Sequence, residues 1–226
     1  MKKLLKIFGI LTVSLLSFCK TDKKESQEIK VIEPIIKKYN GTNIRIGQQV
    51  WMSENLNVNV FRNGDPIPFA ETNKEWKEAG KNKQPAWCYY NNDPLNGKKY
   101  GKLYNFFAVK DPRGLAPKGW HVPSDKEYVV LIKNIGSNEA YFKMKSNVGW
   151  CNNGNGDNES GFNAVPGGFR YGYGSFSKGG CEGYWWTSTK DENYFAYNLF
   201  LGKEKFEHYI YYDYNTNGLS VRCLKD

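Results

Sequence analysis

Hydrophobic and polar positions along the chain locate one helix sharply. Tyr128, Leu131, Ile132 and Ile135 recur at i, i+3, i+4 and i+7, an apolar stripe for one buried helix face. Ser124 stands just before the first turn, where its hydroxyl can accept from free backbone N–H groups. Glu127, three residues on, can reach back and complete a capping box. Gly136 is a natural C-cap, and Pro117 and Pro123 stiffen the approach by fixing φ. The pattern predicts a helix over 124–135. A second helix is predicted over 72–80, capped at Thr72 or Asn73 and stopped at Gly80, and a third, short one over 138–144.

Period-two patterning predicts strand elsewhere. Over 43–52, Ile44, Ile46, Val50 and Met52 fall on one face, the expected inner one. A short strand is predicted over 86–90, whereas 103–109 is aromatic and apolar and fits either a helical turn or a strand. Segments 162–165, 184–189, 194–201, 206–214 and 219–224 read as antiparallel strands, with Leu219, Val221 and Cys223 sharing a face in the last. Asn- and Gly-rich stretches at 147–161 and 215–218 read as loop and turn, and Gly172-Tyr173-Gly174-Ser175 as a hairpin turn. Helices precede the main block of strands instead of alternating with them, so the expected fold class is α+β.

The first residues follow another logic. Lys2, Lys3 and Lys6 precede an apolar run of twelve residues, Ile7 to Phe18. A bilayer-spanning helix needs about 20 such residues, so residues 1–18 read as a signal peptide. Leu16-Ser17-Phe18-Cys19 resembles a bacterial lipobox, although Phe18 departs from the usual small residue. Cys19 is therefore the expected lipid anchor, with secretion without lipid the alternative. Residues 19–28 are polar, charged and aperiodic, a flexible tether, and residues 29–226 are the expected single domain. A lipid-anchored place on the outer membrane or cell surface follows, with a secreted or periplasmic protein as the alternative.

Charge and cysteines narrow the function classes. The chain of 226 residues carries 32 basic and 23 acidic side chains. Three lysines and no acid lie in the signal region, so the remainder holds 29 basic against 23 acidic groups, a net +6. The excess is spread along the sequence, with no Lys/Arg stripe that would suit nucleic acid. It is compatible with attraction to anionic envelope polymers or acidic glycans. Cys88, Cys151, Cys181 and Cys223 form an even set, which in an exported chain suggests two disulfides. Cys151–Cys181 is the favoured pair, since a bridge would restrain the Gly/Asn-rich loops, and free buried thiols are the alternative.

A series of motifs carries a family resemblance. Ile46-Gly47-Gln48-Gln49-Val50-Trp51-Met52-Ser53-Glu54-Asn55-Leu56 comes first, then Tyr100-Gly101-Lys102-Leu103-Tyr104-Asn105. Pro117-Lys118-Gly119-Trp120-His121-Val122-Pro123-Ser124 follows, then Ser160-Gly161-Phe162-Asn163-Ala164-Val165-Pro166-Gly167-Gly168-Phe169-Arg170. Tyr184-Trp185-Trp186-Thr187-Ser188-Thr189 and the closing Ser220-Val221-Arg222-Cys223 complete the set. In this order they resemble the Fibrobacter succinogenes major paralogous domain family over roughly residues 44–226. The resemblance implies an exported bacterial domain and a C-type lectin-like fold: two short helices packed on a twisted antiparallel sheet, with long irregular loops. It implies no particular activity.

Candidate chemistry is sparse. Asn153, Asn155, Asp157 and Glu159 offer hard oxygen ligands in a flexible loop, so calcium is the one conceivable cofactor, although the spacing is not that of an EF-hand. Tyr184 and Trp185 could form a platform for a glycan or protein, but neighbouring Trp185 and Trp186 must point to opposite faces of a strand, so at least one belongs to the core. His121 and His208 are isolated, with no metal-binding pair, and His121 is expected to bond backbone. Arg222 is expected to pair with Glu54 if both are buried. No catalytic residue or resident metal emerges. The expectation is a non-catalytic binding or adhesion module whose loop face spans 147–183. The alternatives are an enzyme on a formylglycine-generating-enzyme-like scaffold, which needs an accessible thiol at Cys181 or Cys223, and a purely structural envelope protein.

Overall fold

A computed structural model describes residues 37–39, 43–191, 194–202 and 209–226. The predicted signal peptide, Cys19 and the tether lie outside the described residues, as does His208. In chain order the elements are β1 (Lys37–Tyr39), β2 (Asn43–Ile46), β3 (Gln49–Met52), α1 (Asn73–Lys81) and β4 (Trp87–Cys88). Then come α2 (Pro94–Tyr100), β5 (Leu103–Tyr104), α3 (Phe106–Val109), β6 (Trp120–His121), α4 (Asp125–Ile135) and α5 (Ala140–Met144). The remainder is β7 (Phe169–Arg170), β8 (Phe176–Ser177), β9 (Gly183–Lys190), β10 (Phe195–Leu201), β11 (Ile210–Tyr214) and β12 (Leu224–Lys225). The fold is α+β.

The sheet is divided. One five-stranded sheet runs β1-β2-β3-β12-β6, a three-stranded one runs β11-β10-β9, and β4-β5 and β7-β8 are separate two-stranded ribbons. All these strand pairs are antiparallel. The chain's last strand thus sits between two early segments and closes the five-stranded sheet.

Helix α4 forms as its pattern dictates. Ser124 accepts from the Glu127 N–H, Glu127 Oε2 accepts from the Ser124 N–H at 2.7 Å, and Gly136 caps the end. Its four patterned residues are all buried. Helix α1 carries the same reciprocal cap between Thr72 and Glu75, and runs through Gly80 to a C-cap at Asn82. The ambiguous stretch 103–109 is both things in turn, strand β5 and then α3, divided by Asn105, whose side chain caps the helix.

Segment 43–52 differs from a single strand. Gly47, at φ 60°, opens a two-residue turn that makes β2 and β3 a hairpin. The turn changes the parity: Ile44 faces Trp51 and Ile46 faces Gln49, so Trp51 joins Ile44 and Ile46, while Val50 and Met52 go to the other side. The positive φ favours glycine at 47, and a Cβ there would also lie 2.3 Å from the Asn134 side chain, which would have to move aside.

Two predicted strands shrink. Within 162–165 a single bridge, Lys145 to Ala164, replaces the strand. Within 219–224 only Leu224 belongs to one, and Leu219 and Ser220 make isolated bridges to Tyr104 and Trp185. Leu219, Val221 and Cys223 still share one buried cluster.

The core has two main bodies separated by β9. Trp185 packs with Ile44, Trp51, Tyr128, Leu131 and Phe162. Trp186, on the opposite face, packs with Phe106, Leu219, Val221 and Cys223. Each indole N–H is satisfied, Trp185 by Asn55 Oδ1 at 2.7 Å and Trp186 by the Tyr104 carbonyl at 2.8 Å. A third cluster under α1 contains Trp76, Ala86, Cys88 and Leu103.

Candidate functional site

A concave surface with aromatic and basic lining lies where four separated segments meet. The last turn of α1 brings Gly80 and Lys81, and the turn after it Lys83. Helix α3 adds Phe106 and Phe107 and is followed by Lys110. The end of β9 adds Lys190, and the β10–β11 end adds Tyr194, Tyr214 and Thr216. The cleft encloses about 430 Å³, within the range usual for ligand sites.

Its frame is built from main-chain bonds. The Phe106 N–H donates to the Asn215 carbonyl at 3.0 Å, and the Asn215 N–H donates to the Tyr194 carbonyl at 2.8 Å. The Trp76 indole donates to the Thr216 carbonyl at 3.1 Å, which locks the turn after β11 to α1. Phe106 is buried against Trp186, with ring centroids 5.3 Å apart, so the cleft floor is part of the core. Tyr194 and Tyr214, by contrast, are 70% and 56% exposed. Phe195 lies against both Tyr212 and Tyr214, with centroids 5.4 and 4.6 Å away, extending the aromatic surface along the sheet.

The electrostatics are one-sided. Lys81, Lys83, Lys110 and Lys190 rim the cleft, all exposed, and no acidic side chain is among the described residues lining it. None of the four takes part in an ion pair among the described residues. The Lys110 ammonium lies 3.5 Å from the Ser188 carbonyl.

The residues singled out from sequence lie elsewhere. In the 147–161 loop Asn153 is exposed in the left-handed region at φ 59°. Asn155 Oδ1 accepts from the Trp150 N–H at 2.9 Å, and Asp157 Oδ1 accepts from the Glu159 N–H at 2.9 Å. The Glu159 carboxylate pairs with Lys143 at 3.2 Å, and Lys143 also pairs with Glu139, so an ammonium sits among these acids. No group of three or more His, Cys, Asp or Glu able to hold a metal occurs among the described residues.

Trp185 is fully buried and is not an exposed platform. Tyr184 is half-buried, donates its hydroxyl to Glu182, and lies edge-on to Phe169. Cys151 and Cys181 form a disulfide, whereas Cys88 and Cys223 are free and buried. Burial pushes both of those thiols up to about 12. Neither Cys181 nor Cys223 is the accessible thiol that the enzyme alternative requires.

Two further expectations are corrected. His121 bonds carboxylates, not backbone: Nδ1 lies 2.8 Å from Asp226 Oδ1 and Nε2 lies 3.0 Å from Glu127 Oε1. Arg222 does not pair with Glu54, which is exposed; its guanidinium meets Asn55 Oδ1 and the carbonyls of Met52, Phe162 and Asn163. The cleft has no local sequence motif, because its lysines and tyrosines come from segments far apart in the chain. The exposed aromatics at 194, 212 and 214 were the one local signal.

The chain is thus a mixed α+β domain with six of its seven tryptophans buried, Trp120 being half-buried, and an open aromatic cleft rimmed by lysine. It belongs to the Fibrobacter succinogenes major domain family, whose pattern it matches over residues 44–225. No curated protein and no solved structure matches the chain. Among the described residues no helix is long and apolar enough to cross a membrane.

Proposed function

We propose that this domain is a non-catalytic binding module on a C-type lectin-like scaffold, carried on the bacterial envelope by a lipid on Cys19, and that the lysine-rimmed cleft holds its ligand. One observation carries the reading: exposed tyrosines and lysines with no ion pair among the described residues converge on a concave site whose floor is buried core. A surface of that kind can bind without reorganising, which limits the ordering cost of association. The reading moves the contact surface from the 147–183 loop face to the opposing ends of α1, α3 and β11. Calcium at Asp157 and Glu159 is not needed for it.

The test is an array of glycans and envelope proteins probed with the lipid-free chain, with and without chelator. Wild-type protein is expected to capture a ligand that a Tyr194→Ser/Tyr214→Ser variant fails to capture, chelator making no difference. Capture insensitive to both substitutions, or turnover of any arrayed compound, would overturn the reading.

A further inference from the structure

We infer that the occupant of the cleft is a strand of acidic polysaccharide, its sugar rings against the tyrosines and its carboxylates or sulfates among the lysines. The inference rests on the proposed function and names the ligand class of that same site.

The charge asymmetry comes first. Lys81, Lys83, Lys110 and Lys190 surround one cleft, and the described lining holds no acid to neutralise them. Like charges so placed repel one another, and an anionic ligand relieves that repulsion. Lysine is a mobile point charge on a flexible stem, able to follow anionic groups spaced irregularly along a chain, whereas arginine's planar fork suits fixed bidentate carboxylate and phosphate alike. No arginine is among the described residues lining the cleft, so charge alone selects an anion, and the competing oligonucleotide below decides between acidic sugar and nucleic acid.

Shape argues for a chain over a small molecule. A site for a small ligand buries most of that ligand's surface. Here two of the wall rings, Tyr194 and Tyr214, are themselves 70% and 56% exposed, and the aromatic surface continues outward through Phe195 to Tyr212. An extended ligand can lie along such a row and leave the cleft at its open end. Tyrosine joins a flat apolar face, suited to the C–H side of a sugar ring, to a hydroxyl that can bond the ring substituents.

The experiment is calorimetric titration of the full chain with a defined oligogalacturonate, and with the same oligomer after its carboxyls have been reduced to alcohols. The uronate is expected to bind, the reduced oligomer to bind at least tenfold more weakly, and affinity to fall as salt rises. Lys81→Gln/Lys190→Gln is expected to weaken uronate binding about tenfold, at up to about 1 kcal/mol for each exposed charge pair. Tyr214→Ser should weaken it by a further factor of about three to ten. Single-stranded oligonucleotides and a poly-glutamate peptide serve as competing anions. Equal affinity for the reduced oligomer, or tighter cleft-dependent binding of either competitor, overturns this inference and leaves the binding-module reading intact. Binding of none of these probes overturns the inference as well, and the array then decides the broader reading. Uronate binding unchanged by all three substitutions sinks both.

Discussion

The guanidinium of Arg222 rests on the amide oxygen of Asn55, with Nη2 at 2.6 Å and Nε at 3.1 Å, in a fully buried site. A carboxylate would be the usual partner for a buried arginine, but here a neutral amide takes that place. The same oxygen accepts the Trp185 indole N–H, and the Asn55 Nδ2 donates to the Tyr100 carbonyl at 2.8 Å. One side chain therefore joins Arg222, strand β9 and the last residue of α2. Burial pushes the Arg222 pKa down to about 10, so the group stays charged at neutral pH, helped by backbone carbonyls and by the Phe162 ring 4.5 Å away.

Replacing Asn55 by Leu takes two hydrogen bonds from that charge, which keeps only backbone carbonyls, and leaves an indole without its acceptor. Asn55→Leu is expected to lower unfolding free energy by about 3–5 kcal/mol, since each hydrogen bond to a charged group is worth about 1.5–3. Arg222→Met removes the charge itself and should cost clearly less, because Asn55 keeps Trp185. Urea denaturation followed by tryptophan fluorescence checks both, and a larger loss for Arg222→Met would refute the ranking.

What could be read ahead of the structure divides along physical lines. Local signals held: the Ser124–Glu127 cap, the α4 stripe and the opposite facing of Trp185 and Trp186 depend only on neighbours in sequence. Long-range choices did not. The partner of Arg222 is 167 residues away, and Asn55 offers no charge to suggest it. The parity of Val50 and Trp51 depended on a turn at Gly47 that an alternating pattern conceals. The cleft was illegible for the same reason, since Lys81, Phe107, Lys190 and Tyr214 become neighbours only after folding.

The cysteines give a second test. Cys88 and Cys223 are fully buried and hard to ionise, so a native sample with Cys19 replaced by Ser should react with no thiol reagent at neutral pH, and with two equivalents once unfolded. Rapid native labelling at either position would contradict the packing. The Cys151–Cys181 bridge spans a sequence separation of 30 residues. Chain entropy for a loop of that size gives about 3–4 kcal/mol, so a Cys151→Ser/Cys181→Ser double variant should unfold at correspondingly lower urea.

Acid should loosen α4 at its first turn. Burial by itself would raise the Glu127 carboxyl, but hydrogen bonds from the Ser124 N–H and hydroxyl and from His121 outweigh it and hold the pKa below the usual glutamate value. A carboxyl lowered in the folded state contributes stability above its unfolded pKa, and that stability is lost as pH falls through the folded value. Glu127→Gln should therefore reduce stability at pH 7 and flatten its decline between about pH 5 and 3. Equal slopes for wild type and variant would remove Glu127 from the account. Glu75, Asp65 and Asp111 are lowered in the same direction and set the background slope.

Arg170 links the fold to the cleft. Its buried guanidinium donates to the carbonyls of Gly174 at 2.8 Å and Ala70 at 2.7 Å, reaches Asn73 Oδ1 at 3.3 Å, and lies over the rings of Trp76 and Phe176. Through Ala70 and Asn73 it fastens the start of α1 to β7, and the other end of α1 supplies Gly80 and Lys81 to the cleft. Lysine keeps the charge but not the planar fork or the stacking, so it can satisfy only part of this set. Arg170→Lys is expected to cost about 2–3 kcal/mol, since each hydrogen bond to a charged group is worth about 1.5–3. It should also speed hydrogen exchange at the α1 amides more than at those of α4, which Arg170 does not touch. If exchange rises equally in both helices, Arg170 contributes only global stability, and the cleft wall does not depend on it.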